Sequence, residues 1–185
     1  FRRVFAQPRG REVPVHHIPG NHDVGYSLEM TMQPGALGRW EKEMGPSNWA
    51  VPIGGTLWVG VNSQALDANY VRLPAHNDTW DFVRSLRRPG GGVGGDPSRS
   101  GGAAGRAPRV LLTHIPLHNK VKDCGPFRTS PRITRRYNPL AWGMVYQNHL
   151  SSWATKLLLE NIEPAAVYSG HDHDHCVVGH ATPSG

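Results

Sequence analysis

Three short apolar runs in this chain each end in a turn carrying histidine, and that recurrence restricts the fold more than any bulk property does. Residues 13–18 lead into Pro19-Gly20-Asn21-His22-Asp23-Val24-Gly25, and residues 110–113 into His114-Ile115-Pro116-Leu117. Residues 165–169 lead into Gly170-His171-Asp172-His173-Asp174-His175-Cys176. Short apolar runs closed by glycine or proline read as strands. A fourth, TLWVGVNS at 56–63, alternates well. Helical patterns lie between them. Leu150, Trp153, Ala154, Leu157 and Leu158 occupy the i, i+3, i+4, i+7 and i+8 positions of one buried face. Residues 77–88 form a second pattern, with Asp78 and Asp81 as first-turn acids, and 36–44 a third. Strands alternating with helices predict a layered α/β domain. In such a sheet, groups at the carboxyl ends of strands converge on one crevice.

Bulk properties mainly exclude. The 185 residues suffice for one domain with a real core. The longest uncharged stretch, 49–66, is broken by Pro52, Gly54, Gly55 and Asn62, so it cannot serve as a membrane helix. Cys124 and Cys176 are too few for a disulfide framework or a Cys-based zinc module. They leave open one bridge in an oxidising compartment, or two isolated thiols. The net charge of +6 invites nucleic acid, but the arginines are spread along the chain and no basic-aromatic module appears. Residues 89–108 hold eight glycines and no aromatic residue. Such a segment cannot offset its ordering entropy, and a disordered surface insertion is expected there.

Eleven histidines are informative only through their spacing. Singly, an Asn-His-Asp also suits a turn and a histidine run also suits a solvated loop. In this order, each behind a short strand, they point to a metal. Imidazole nitrogens with an amide oxygen suit zinc, manganese or iron. His171 and His173, two apart on extended backbone, point to one side and can serve two ions about 3.5–4 Å apart.

Gly-Asn-His-Asp at 20–23, a strand ending in His114-Ile115-Pro116-Leu117, and Gly170-His171-Asp172-His173 together resemble the calcineurin-like metallophosphoesterase superfamily. Asp123-Cys124-Gly125-Pro126, Tyr146-Gln147-Asn148 and the ending through Cys176 resemble one branch. That branch comprises the membrane-anchored secretory-pathway phosphoesterases, especially fungal ones, that remove ethanolamine phosphate from GPI anchors. Serine/threonine and purple acid phosphatases typically place Glu where this chain has Asp23, and the purple enzymes place Tyr-Glu-Arg where it has Asp174-His175-Cys176.

The resemblance implies a layered β-sandwich flanked by helices, and two divalent metal ions, Mn, Zn or Fe with Mn favoured. It implies Asn21, His114 and His171 on one ion and His173 on the other. His22 would protonate the leaving oxygen and Asp23 would hold that imidazole, while a hydroxide bridging the ions attacks phosphorus. The expected substrate is a phosphorylated glycolipid or another phosphodiester, at the luminal side of the endoplasmic reticulum or Golgi membrane. Membrane attachment would come through segments outside this chain, and no nucleic acid is expected.

The family also uses an upstream Asp-x-His and a Gly-Asp, yet no aspartate precedes Asp23. The expectation is a single partial domain over 1–185, truncated at both ends and inactive by itself. The alternative is a non-catalytic metal-binding remnant. His118 to Tyr137 reads as a basic loop able to rim the crevice, residues 177–180 as the start of another strand, and Asn77-Asp78-Thr79 as a sequon or a helix N-cap. The six tryptophans read as packing residues.

Overall fold

The computed structural model describes residues 13–67, 73–88, 107–119, 135–138, 140, 143–173 and 176–181. Trp49–Ile53 (β1) and Thr56–Val61 (β2) form an antiparallel hairpin. Its turn is Gly54-Gly55, with φ of 59° and 78°, left-handed backbone at both positions that glycine adopts freely and that the type I′ form of a two-residue hairpin turn uses. Arg109–Thr113 (β3) pairs parallel to β2. Arg135–Asn138 (β4) and Gly143–Gln147 (β5) make a separate antiparallel pair, and Ala166–Ser169 (β6) lies parallel to β3. The main sheet runs β1-β2-β3-β6.

Parallel neighbours need crossovers, and helices supply them. Asn21–Val24 (α1), Ser27–Met32 (α2) and Gly35–Met44 (α3) precede the sheet. Ser63–Leu66 (α4) and Pro74–Ser85 (α5) lie between β2 and β3, and Ser152–Ile162 (α6) precedes β6. The product is a mixed α/β domain with a four-stranded sheet flanked by helices. Val59, Val61 and Leu111, alternate residues of β2 and β3, are fully buried in one cluster with Leu66, Val83, Leu158 and Ile162. Trp80 of α5 stacks on Trp153 of α6 at 5.0 Å. Arg109 Nη1 donates to the carbonyls of Leu86, Asn161 and Ile162, satisfying the carboxyl ends of both helices. At the opposite end of α6, the Ser151 side chain accepts from Ala154 N, while its own N and hydroxyl donate to buried Asp67.

Several sequence expectations give way here. Residues 13–18 lie outside any strand, with Val13 and Val15 exposed; apolar composition does not by itself supply a pairing backbone. Residues 177–180 likewise form no strand. The helix expected from 77 begins at Pro74, whose fixed φ suits the first helical position, so Asn77-Asp78-Thr79 sits inside α5 rather than capping it. Thr79 is buried and accepts from Asn48 Nδ2. Arg135 and Arg136 belong to β4 rather than to a loop. The strands β1, β4 and β5 were not anticipated: β1 contains Pro52, and β4 is four residues with two arginines. Of the tryptophans, Trp40 is buried, four are half-buried and Trp142 lies outside the described residues. So do 89–106 of the glycine-rich segment, 120–134 of the basic segment, Asp174 and His175.

Candidate metal centre

The carboxyl ends of β3 and β6 lie side by side, joined by Gly170 N donating to His114 O at 3.1 Å. His114 follows β3 in a turn held by Ile115 N donating to buried Ser63 Oγ at 3.0 Å. His171 follows β6 with φ of 67°, left-handed backbone that is uncommon outside glycine and concentrates at functional sites. Asn21 opens α1. Gly20 caps that helix, and its N donates to Asp23 Oδ2 at 2.8 Å. A Cβ at Gly20 would stand 3.1 Å from His114 Cε1, so the bare glycine is what lets the imidazole lie against this turn.

Three of the six sequence-predicted residues converge. His114 Nε2 lies 2.8 Å from Asn21 Oδ1 and 3.1 Å from His171 Nδ1. Burial pushes His114 down to about 4, with His171 and His22 acting the same way and Asp23 opposing. Burial also lowers His171, against the Gln147 carbonyl. Both rings are therefore neutral at pH 7, the form that ligates. One amide oxygen and two imidazole nitrogens on one point match the donor chemistry of a borderline divalent cation, so these residues fit a metal. Among the described residues no three His, Cys, Asp or Glu side chains form such a group; the third donor here is an amide.

His22 and His173 are exposed, close enough that both perturb His171. Neither joins the polar contacts of the cluster. Asp23 directs one carboxylate oxygen to its own helix cap. Two groups not anticipated from sequence complete the site. The Gln147 carbonyl accepts from His171 Nε2 at 2.7 Å, and the buried Tyr26 hydroxyl lies 3.2 Å from the same nitrogen. Burial pushes Tyr26 up to about 12, with Tyr146 adding to it, so it stays a protonated phenol. The only sequence signal was position, directly after Asn-His-Asp-Val-Gly for Tyr26 and within Tyr146-Gln147-Asn148 for the carbonyl. A cleft of about 360 Å³ opens beside the centre, between Leu117, Asn119, His149, Asp172 and His180; it shares Gly170 with the His171 turn, but His114 and His171 are not among its walls. Cys176, at its edge, is disulfide-bonded.

Residues 1–175 match the family described as calcineurin-like phosphoesterase. The chain belongs to that family. It is 27% identical to Cell division control protein 1 of Saccharomyces cerevisiae, across 99% of this chain and 33% of that protein. It is 31% identical to an uncharacterized Schizosaccharomyces pombe protein (91% and 40%). It is 30% identical to Metallophosphoesterase 1 of Danio rerio (97% and 46%). The chain thus spans between a third and a half of the length of these relatives. No solved structure matches it. Calcineurin-like phosphoesterases are hydrolases of phosphoric esters that use divalent metal ions. No helix among the described residues is long and apolar enough to cross a membrane.

Proposed function

We propose that this chain carries the catalytic centre of a metal-dependent phosphodiesterase acting on ethanolamine phosphate of a GPI-anchor glycan. The observation behind this reading is the meeting of Asn21 Oδ1, His114 Nε2 and His171 Nδ1, in a chain of the calcineurin-like phosphoesterase family. Asn21, His114 and His171 hold one divalent ion, and His173 contributes to a second, manganese in both positions. Bound ions supply Lewis-acid polarisation of the phosphoryl group and activation of water. The residues of the chain do the rest. His22 stands exposed on α1 beside the cluster, where it can serve as the general acid toward the leaving oxygen of a substrate lying over the two rings. Asp23 braces the turn that presents His22 through its bond from Gly20 N. The half-buried walls around His114 and His171 keep those rings unprotonated.

The setting is the luminal face of the endoplasmic reticulum or Golgi membrane, and the partner is a phosphorylated glycolipid rather than nucleic acid. The disulfide at Cys176 supports this, since such bonds persist in oxidising compartments. No aspartate precedes Asp23, so the chain brings His173 alone to the second ion, and these 185 residues by themselves turn over no diester.

The test is release of ethanolamine phosphate from a GPI glycolipid by the longest natural protein carrying these residues, stripped of metal and then given Mn²⁺. Release should require Mn²⁺ and disappear in His114→Ala and His22→Ala. Undiminished release in either variant sinks the assignment. Hydrolysis of simple diesters without release from the glycolipid moves the substrate elsewhere. Metal binding with no turnover of any phosphoester identifies a non-catalytic remnant. Turnover by the 185-residue chain alone would refute its inactivity.

A further inference from the structure

We infer that Tyr26 is a positioning residue of the metal centre, acting with the Gln147 carbonyl to aim His171 Nδ1 at His114 Nε2, the atom that Asn21 Oδ1 also meets. The inference rests on the reading of those three residues as ligands. A carbonyl oxygen can only accept, so the 2.7 Å contact between His171 Nε2 and Gln147 O puts the ring proton on Nε2. A neutral imidazole has one such proton, which leaves a lone pair on Nδ1, the atom 3.1 Å from His114 Nε2. The Tyr26 hydroxyl closes this arrangement. It donates to the same Gln147 carbonyl at 3.5 Å, and its oxygen lies 3.2 Å from His171 Nε2. Rotating the His171 ring to bring Nε2 inward would give up both contacts.

Packing restricts the ring in the same sense. The Tyr26 ring stands edge-on to His171 at 6.0 Å and 78°, and edge-on to Tyr146 at 5.9 Å and 66°. Tyr26 is itself fixed by backbone. Its N donates to Glu29 Oε2 at 2.8 Å, and its carbonyl accepts from Met30 N at 2.9 Å. Gly25 turns the chain between α1 and α2 with φ of 79° and ψ of 177°, a conformation open essentially to glycine alone. One short turn therefore carries a ligand, Asn21, and the hydroxyl that orients another ligand from the far end of the chain.

Ligating histidines generally donate their second N–H to a fixed acceptor, and loss of such outer partners weakens metal binding about 10- to 100-fold. Tyr26→Phe keeps the ring and the carbonyl and removes only the hydroxyl, so the expected loss in Zn²⁺ affinity is about tenfold, the low end of that range. The experiment pairs Zn²⁺ titration of the full chain with ¹⁵N NMR of its metal-free histidines at pH 7. The wild type should show His171 protonated at Nε2, and Tyr26→Phe should show a mixture with the Nδ1–H form. Unchanged affinity and tautomer in the variant would overturn the inference while leaving the metal site standing. A wild-type His171 protonated at Nδ1 also overturns it, and this reading decides the matter if the variant does not fold. Zn²⁺ binding by the wild type that is indifferent to His114→Ala overturns the metal-site reading, and the role of Tyr26 with it.

Discussion

Asn21, His114 and His171 are half-buried and joined by contacts of 2.8 and 3.1 Å, whereas His22 and His173, one or two residues away on the same turns, are exposed. The inner set is held by a glycine-backed helix cap, a buried serine hydroxyl and the junction of two parallel strands. Among the described residues the side chains of the outer pair have no comparable support. Under the proposed function the difference separates two tasks. Donors to a cation gain from burial, which removes the competing proton, while a group that exchanges protons with substrate must remain in reach of it. The sharpest way to break this distinction is deletion. His114→Ala should abolish binding of the first Zn²⁺ by calorimetry, while His22→Ala and His173→Ala should retain it. Equal losses across all three variants would show that the inner set is no separate unit.

Smaller perturbations distort the inner set without removing a donor. Gly25→Ala forces a side chain into backbone that costs about 1–3 kcal/mol, with the new Cβ 2.5 Å from Glu29 Cβ. Urea unfolding should register that loss, and Zn²⁺ affinity should fall with it because Asn21 and Tyr26 flank the turn. Ser151→Ala is the contrasting case. It removes the α6 cap and a hydroxyl donor to Asp67, for about 1 kcal/mol of stability, with Zn²⁺ affinity unchanged. A matching fall in affinity would make the start of α6 part of the centre's support.

The histidine-bearing turns after β3 and β6, the helices α3 and α6, and the meeting of Asn21, His114 and His171 at one place were legible because their signals are local: an apolar run, a breaker and a polar side chain. Residues 13–18 were misread because a strand needs a partner, and alternation within one segment says nothing about who pairs it. The hairpin β4–β5 stayed hidden because two arginines and a four-residue length erase the period-two pattern. Tyr26 and the Gln147 carbonyl were invisible for a different reason. Their role depends on a contact across 121 residues and on a backbone atom, neither of which composition can mark.

The subtlest consequence of the inner set's burial is a pH dependence of stability without metal. In the unfolded chain His114 and His171 take up protons near pH 6.5. In the folded chain His114 does so only near 4, and His171 is lowered as well. Between these limits the unfolded state binds more protons, so stability must fall as pH falls and level off above about 6.5. Both rings are only half-buried and solvent screens them, which keeps the effect below those of the substitutions above. Thermal midpoints of the metal-free chain from pH 7 down to 4.5 should decline, and His114→Gln should flatten the decline. A saturating divalent ion should steepen it, because each bound cation must be displaced by protons on the same nitrogens. An undiminished slope in His114→Gln would mean that the acid sensitivity arises elsewhere, and that the inner rings are more open to water than their packing against Gly20, Tyr26 and each other indicates.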